Sequence, residues 1–185
     1  AKELVKQILS FSRHGAWEKM PLRLHQAVNE AVPLLRAIIP PNIKIILEID
    51  PRCEHYTVLG DLNQVRQLII NLGTNAYQAM QKLETGALLK ITLNYLEIQT
   101  AKIARSAKIE PGKYIVIEIS DTGHGIDPEI LERIFDPYFT TRGIGEGSGL
   151  GLSVVQGIVK GHKGYITVDS HLGKGSTFTI YFPCY

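Results

Sequence analysis

The sequence has few of the features that mark a metal centre, a membrane protein or a nucleic-acid binder. It contains only 2 cysteines, Cys53 and Cys184, and their spacing fits no metal site. We expect them to be free thiols in a reducing compartment, although the sequence also allows a disulfide between them. It has no apolar run of membrane-spanning length and no signal-peptide pattern. Its formal net charge of +2 provides no broad basic surface, so we expect no nucleic-acid partner. An apolar content of 44% is instead typical of a globular domain.

The first residues predict that the chain is part of a longer protein. It begins without methionine, and the apolar residues of Lys2–Arg13 already have helical spacing. We therefore expect a helix tail and linker over residues 1–16, followed by one domain over residues 17–185 that is large enough for a sizeable core. We expect this chain to be monomeric, cytoplasmic and without membrane contact of its own, whether or not its parent protein is membrane-anchored.

Apolar periodicity predicts helices and strands in a mixed order along the domain. Helices are expected at residues 25–39, 61–82, 128–134 and about 149–161. Strands are expected at residues 20–24, 43–49, 56–59, 87–98, 113–120, 165–170 and 177–182. Residues 99–112 are predicted to form an exposed hairpin whose charges keep a sheet edge solvated. Because strict strand–helix alternation is absent, we predict an α+β fold, a two-layer α/β sandwich with a mixed sheet on one layer of about three helices.

The helix predicted over Asp61–Lys82 carries two asparagines on one face. Asn71 and Asn75 are four residues apart and flank the apolar stripe of this helix. Asparagine is a mediocre helix former, but its amide oxygen is a ligand for a hard cation and its amide nitrogen can donate to phosphate. Two partly solvated polar residues on a helix flank are the simpler alternative, and the helix by itself favours that alternative.

The segment Asp121–Gly125, DTGHG, follows directly on a predicted strand. The Asp121 carboxylate can accept a hydrogen bond from an exocyclic amine such as that of adenine. Gly123 and Gly125 have no Cβ, so the backbone there can approach a flat ring closely. A strand-end turn in which the aspartate starts a helix is the alternative for this motif alone.

A second glycine-rich segment, Gly145–Leu152, runs directly into a predicted helix. The N–H groups of successive glycines and the positive end of the helix dipole favour a phosphate ligand. The segment lacks the strand that precedes a dinucleotide fingerprint and the GK[ST] of a Walker loop. A flexible linker is disfavoured by the apolar residues that begin the helix. Arg142, in the loop before it, is a candidate phosphate contact, and a solvated loop arginine is an equal alternative.

In chain order, these segments resemble the N, G1, F and G2 boxes of the catalytic ATP-binding domain of sensor histidine kinases. The resemblance is carried by NLGTNA from Asn71, DTGHGI, IFDPYFTT, GSGLGLSVV and GKGSTF, and it covers residues 22–183. It implies the Bergerat fold shared with gyrase, Hsp90 and MutL-type ATPases. It also implies ATP and Mg²⁺ as cofactors, and transfer of the γ-phosphate to a histidine on an upstream dimerisation domain of the same protein. A response regulator receiver domain is the further implied partner.

The resemblance implies a role for each matching residue. Asn75 coordinates Mg²⁺, Asn71 supports it or contacts phosphate, and both join Arg142 as catalytic candidates. Asp121 binds the adenine amine, and Thr177 shares that bond through water. Residues 135–147 form a mobile lid over the nucleotide. The full set implied to bind the nucleotide is Asn71, Asn75, Asp121, Gly123, Gly125, Ile126, Thr140, Thr141, Arg142, Gly147, Ser148, Gly149, Leu150, Gly151, Leu152 and Thr177.

The chain departs from the family pattern at several positions. Where related ATPases have a glutamate that activates water, this chain has Asn71, which cannot act as a base, so phosphotransfer is favoured over hydrolysis. Gln78 replaces a lysine of many relatives, which leaves Arg142 as the expected phosphate cation. None of the 6 histidines precedes an acidic residue, so we expect the phosphoacceptor upstream of this chain. An ATPase of the same fold and a non-enzymatic nucleotide-dependent interaction module stay open as alternatives.

Overall fold

The computed structural model of the chain describes residues 19–83, 85–104, 107–141 and 149–185. The helix tail and linker predicted over residues 1–16 lie outside these ranges, and so do three of the predicted site residues, Arg142, Gly147 and Ser148. Within the described ranges the chain forms the predicted two-layer sandwich, in which a mixed five-stranded sheet packs against three helices.

The elements follow the predicted order, with boundaries shifted by a few residues. The helices are α1 (Leu24–Ile38), α2 (Leu62–Met80) and α3 (Gly151–Gly161). The strands are β1 (Met20–Leu22), β2 (Lys44–Ile49), β3 (Val58–Gly60), β4 (Leu88–Ile98), β5 (Lys102–Ala104), β6 (Ala107–Ile109), β7 (Gly112–Asp121), β8 (Tyr165–His171) and β9 (Gly175–Pro183). Single 3₁₀ turns lie at Pro51–His55 and Pro128–Ile130.

The prediction of a helix over residues 128–134 is wrong, because only the 3₁₀ turn Pro128–Ile130 forms there. Asp127 caps this turn by accepting a hydrogen bond from the Glu129 N–H at 2.9 Å, which is the local signal of a helix start. The segment still packs Ile130, Leu131 and Ile134 against the main core, but it does so through successive turns. A segment this short forms too few helical hydrogen bonds to offset the cost of nucleating a helix.

The central sheet has the strand order β2–β4–β7–β9–β8. β2 runs parallel to β4, and the other neighbouring pairs are antiparallel. Alternate side chains of a strand point to opposite faces, so each central strand presents one apolar face to the helices. The residues that form this face of β4, β7 and β9 are Leu89, Ile91, Leu93, Ile115, Ile117, Ile119, Phe178, Ile180 and Phe182, all buried in the main core.

The hairpin predicted over residues 99–112 forms as β5 and β6, but its base is not simply exposed. Ile109 is fully buried and packs with Ile98, Tyr114 and Tyr181 in a second, smaller core on the outer face of the sheet. The Lys108 ammonium pairs with a carboxylate oxygen of Glu110 at 2.9 Å on the surface. Charged side chains of the hairpin thus lie on the surface, while apolar contacts attach it to the sheet.

α2 is the central helix of its layer, since it packs against both α1 and α3. It begins as predicted at an N-cap, where the Asp61 carboxylate accepts a hydrogen bond from the Asn63 N–H at 2.8 Å. The Asp61 N–H in turn donates to Nε2 of His162, at 3.1 Å, just past the end of α3. The start of α2 therefore lies beside the end of α3.

The two cysteines are free thiols, as the sequence predicts. Cys53 and Cys184 are both free and buried. Burial raises the pKa of each thiol to about 11, so both stay protonated at neutral pH. Among the described residues, no helix combines the length and the apolar character needed to span a bilayer.

Candidate functional site

Two segments that are 80 residues apart in the sequence meet at the start of α3. The side-chain nitrogen of Asn71 donates a hydrogen bond to the Gly151 carbonyl oxygen at 3.4 Å. A Cβ built on Gly151 would lie 3.8 Å from the side-chain nitrogen of Asn75 and 4.0 Å from its oxygen. The structure thus brings the two predicted asparagines together with the predicted glycine-rich segment.

Among the described residues, no side chain caps the first turn of α3. Leu150 precedes the helix and provides no side-chain cap. The first N–H groups of a helix have no partner within it and carry the positive end of its dipole, so they suit a phosphate group. Leu150 is buried and Leu152 packs partly buried against the main core, which excludes a flexible linker at these two positions.

Gly149 is held against the backbone of Tyr138. The Tyr138 N–H donates to the Gly149 carbonyl oxygen at 2.9 Å, and Gly149 has a φ of 64°. A Cβ on Gly149 would lie 2.5 Å from the carbonyl carbon of Tyr138, so both the backbone conformation and the close approach require glycine. Thr140 and Thr141, which follow closely on Tyr138, are exposed.

Asn75 has the chemistry of a single Mg²⁺ ligand. Its carboxamide is half-buried and makes no hydrogen bond to another of the described residues. Those residues also contain no cluster of three or more His, Cys, Asp or Glu that could hold a metal by itself. Mg²⁺ commonly takes one or two protein oxygens and completes its shell with water and substrate phosphate. The amide oxygen of Asn75 therefore fits Mg²⁺ that arrives with a nucleotide.

The predicted Asp121 carboxylate is buried and tightly held. Its Oδ1 accepts a hydrogen bond from the Gly123 N–H at 2.7 Å, and the nearby backbone N–H of Ser176 also favours its charged form. Burial raises the pKa of Asp121 above its ordinary value of 3.8, although both N–H groups and the nearby His124 act in the opposite direction. A desolvated carboxylate with lone pairs left over is a strong acceptor for a ligand N–H.

Gly123 and Gly125 allow the loop after β7 to pack closely on its neighbours. A Cβ on Gly123 would lie 2.6 Å from the Cβ of Ala79 in α2, and the His124 N–H donates to the Ala79 carbonyl oxygen at 3.2 Å. Gly125 has a φ of 73°, and a Cβ there would lie 2.1 Å from the His171 carbonyl oxygen. The sequence predicted that these two glycines let the backbone approach a ligand closely. In the structure, the groups that lie close to them belong to other segments of the protein.

One face of α2 links the two halves of the site. Asn71, Asn75 and Ala79 are spaced by four residues, so they lie in a row that covers about 12 Å of the helix axis. The asparagines face the start of α3, and Ala79 contacts the loop that follows Asp121. The row therefore connects a site for an anion with a buried acceptor for an N–H group.

Thr177 does not lie with Asp121, and the prediction that they share a ligand is wrong in its geometry. Thr177 is paired with Ser120 in the register of β7 and β9, and their side-chain oxygens are 2.8 Å apart. Because adjacent residues of a strand point to opposite faces, this pair lies on the outer face of the sheet, away from Asp121. Ser176 is the residue directly opposite Asp121.

Sequence reasoning also missed Ser170, which holds the predicted residue Ile126. The Ile126 N–H donates to Oγ of Ser170 at 2.8 Å. The signal for Ser176 was present in the sequence, since Phe178 and Ile180 mark the buried face of β9 and Ser176 shares their parity. Ser170 likewise alternates with Ile166 and Val168 on the buried face of β8. Its contact with a loop 44 residues earlier, however, could not be predicted from that alternation.

Sequence comparison gives consistent matches across the site. A family model described as histidine kinase-, DNA gyrase B-, and HSP90-like ATPase matches residues 60–185. The chain is 39% identical over 183 residues to the sensor kinase CckA of Brucella abortus, covering 99% of this chain and 19% of CckA. It is 33% identical over 184 residues to the signal transduction histidine-protein kinase AtoS of Escherichia coli, covering 98% of this chain and 26% of AtoS. The chain thus spans only a minor part of the length of these curated relatives.

Solved structures support the same fold. The catalytic domain of the histidine kinase ThkA superposes with a TM-score of 0.67 at 27% identity, covering 90% of this chain and 98% of that one. Full-length ShkA, solved in complex with AMPPNP, superposes with a TM-score of 0.74 at 23% identity, covering 98% of this chain and 35% of ShkA. These superpositions confirm the predicted two-layer sandwich, and the second is evidence for the fold alone.

Proposed function

The chain belongs to the family of histidine kinase-, DNA gyrase B- and HSP90-like ATPases and is an ATP-binding domain of the sensor histidine kinase type. On this premise we propose that it binds Mg·ATP and donates the γ-phosphate to a histidine on a dimerisation domain upstream in its parent protein. The observation that carries the proposal is the row of Asn71, Asn75 and Ala79 on α2. A ligand with phosphates at one end and an aminopurine at the other matches both ends of that row.

Each end of the site has its own task in this proposal. Asp121 accepts a hydrogen bond from the adenine amine, since its buried carboxylate is already fixed by the Gly123 N–H. The first turn of α3 and the amide nitrogen of Asn71 bind phosphate oxygens. The amide oxygen of Asn75 would hold Mg²⁺, which would supply positive charge to the phosphates of the nucleotide. Arg142 is proposed as a further phosphate contact.

The proposed reaction is phosphoryl transfer to an imidazole nitrogen. The bond between the γ-phosphorus and the β–γ bridging oxygen breaks, a phosphorus–nitrogen bond forms, ADP leaves, and the phosphorylated imidazole gives up one proton to solvent. The chain contributes positioning and charge neutralisation. Asn71 offers no carboxylate to activate water, which supports transfer over hydrolysis. A response regulator receiver domain is the proposed destination of the phosphoryl group.

The experiment compares Asn75→Ala with a matched control in the parent protein that includes the upstream histidine. Asn94→Ala is the control, since Asn94 is exposed on the opposite face of the sheet and bonds only Thr92 among the described residues. With γ-labelled ATP, we expect Asn75→Ala to abolish labelling of the histidine while its melting temperature stays close to that of wild type. Asn94→Ala should label normally. Retained labelling in folded Asn75→Ala would refute the metal role, and steady phosphate release without histidine labelling would favour an ATPase.

A further inference from the structure

Ser170 lies at a junction of three chain segments, opposite Ser176, which is itself opposite Asp121 in the sheet. It is 4% exposed and is on β8. Its Oγ contacts the Ile126 N–H at 2.8 Å, the Gly175 carbonyl oxygen at 3.1 Å and Oγ of Ser176 at 2.9 Å. A hydroxyl has one hydrogen and two lone pairs, so these three contacts use its full capacity.

The chemistry of the three partners fixes the direction of each hydrogen bond. The Ile126 N–H can only donate, so it takes one lone pair of Ser170. The Gly175 carbonyl oxygen can only accept, so it takes the hydrogen of Ser170. The remaining contact joins the second lone pair of Ser170 to Ser176, and the hydrogen in that bond must come from Ser176. The hydroxyl hydrogen of Ser176 therefore points towards Ser170.

Ser176 lies beside Asp121, so this direction sets the polarity of the pocket. Asp121 and Ser176 are directly opposed in the register of β7 and β9, and opposed residues of an antiparallel pair have their side chains on the same face. The Asp121 carboxylate can only accept hydrogen bonds, and Ser176, with its hydrogen used, also presents lone pairs. A ligand at this point meets two acceptors side by side.

We infer that Ser170 is a positioning residue, which holds Ser176 as an acceptor beside Asp121 and so makes the pocket select a purine with an amino group at C6 over one with a carbonyl. The inference rests on the proposed function, because it requires the purine of the nucleotide to bind at Asp121. An amino group has two hydrogens for the two acceptors. A carbonyl oxygen would face their lone pairs and gain no hydrogen bond, which is costly in a buried site.

The test measures dissociation constants of ADP and inosine diphosphate, which differ at C6, by calorimetric titration in the presence of Mg²⁺. Wild type should prefer ADP. Ser170→Ala frees the Ser176 hydroxyl to rotate and donate to a carbonyl, so the preference should fall about fivefold or more, the value of one net hydrogen bond. Loss of the hydrogen bond to Ile126 could also loosen the loop, but that would weaken the binding of ADP and of inosine diphosphate equally. The ratio of the two dissociation constants therefore reports the change in preference and not the loosening.

Ser120→Ala is the matched control, because Ser120 and Thr177 form the equivalent hydroxyl pair on the outer face of the same sheet. It should leave the ADP preference unchanged. Ser176→Ala should lower the preference, and adding Ser170→Ala to it should change the preference no further, since the hydroxyl that Ser170 orients is already gone.

Three results overturn the inference while leaving the proposed function intact. These are ADP binding with an unchanged preference in Ser170→Ala, an unchanged preference in Ser176→Ala, and a further fall on adding Ser170→Ala to Ser176→Ala. The Ser176→Ala measurement decides the matter even where Ser170→Ala does not fold. Wild type that binds neither nucleotide would overturn the proposed function and the inference with it.

Discussion

The contact between Gly60 and His162 gives a stability prediction that can be worked out from the structure. His162 is buried, and its ring lies edge-on to Phe182 with centroids 5.5 Å apart. Its Nδ1 bonds the Ile158 carbonyl oxygen at 2.8 Å, and its Nε2 accepts from the Asp61 N–H at 3.1 Å. Nδ1 therefore carries the hydrogen of a neutral ring, and burial lowers the pKa of His162, which favours that form.

His162→Ala should lower the free energy of unfolding by about 3 to 4 kcal/mol. Loss of a buried ring of this size costs about 3 kcal/mol or more through lost burial and the cavity left behind. The Asp61 N–H loses its partner, which adds about 1 kcal/mol. The Ile158 carbonyl oxygen keeps its helical bond from the His162 backbone N–H at 3.1 Å, so no further unpaired group arises there.

Gly60→Ala perturbs the same contact from the other side. The new Cβ would lie 2.0 Å from Cδ2 and 2.1 Å from Nε2 of the His162 ring, so the ring or the strand must move. Overpacking of this kind costs about 1 to 3 kcal/mol. In the double variant the added methyl group occupies space that the ring has left. We therefore expect the double variant to be no less stable than His162→Ala alone.

The assay is urea unfolding of the four chains followed by circular dichroism, analysed as a double-mutant cycle. The expected coupling is about 1 to 3 kcal/mol, equal to the cost of Gly60→Ala. Gly157→Ala is the control, since a Cβ there meets nothing within 4 Å and the site is exposed in α3. It should stabilise the chain by about 0.5 to 1 kcal/mol. Two single effects that add to within about 0.5 kcal/mol would refute the contact.

Two further predictions concern the ligand pocket. Asp121→Asn should weaken ADP binding about tenfold or more, because a hydrogen bond to a charged acceptor is lost. It should also raise the melting temperature at pH 7. The raised pKa of Asp121 means that the folded chain binds more protons than the unfolded chain between pH 3.8 and that pKa, so at neutral pH the buried charge opposes folding. An unchanged ADP affinity or a lower melting temperature would contradict this account of the pocket. Thr177→Val should leave ADP affinity within about twofold of wild type, because Thr177 bonds Ser120 on the outer face, and a loss of binding would restore the sequence-based role.

Much of the fold could be predicted from local patterns because each local signal agrees with the tertiary structure. The stripe of α2 and its cap at Asp61 identify that helix in the sequence, and the alternation in β4, β7 and β9 identifies the sheet. The failure at residues 128–134 has a physical cause. Asp127 and Pro128 are a correct helix-start signal, but the segment is too short to offset the cost of helix nucleation, and it buries Ile134 through turns instead.

Site residues could be predicted where a short motif requires a particular backbone conformation. They were harder to predict where their role depends on contacts between distant segments. Gly125 needs its positive φ of 73°, and a glycine in such a motif indicates that need. Whether Ser176 or Thr177 lies beside Asp121 depends on which face of β9 each side chain occupies. The alternation of apolar residues in β9 indicates that face, but the resemblance to the family motifs pointed to Thr177 instead. The contact of Gly60 with His162 joins segments more than 100 residues apart, and neither residue belongs to a motif that indicates the other.

Nucleotide binding by the row on α2 is tested by thermal melting of the chain at increasing ADP concentration, with and without Mg²⁺. A ligand that binds only the folded state stabilises it by about 2.7 kcal/mol at one hundred times its dissociation constant. For a chain of this size, that raises the melting temperature by about 5 to 10 °C. We expect a rise that grows with ADP concentration and is larger with Mg²⁺. No shift at millimolar ADP under either condition would contradict the claim that the row on α2 forms a nucleotide site.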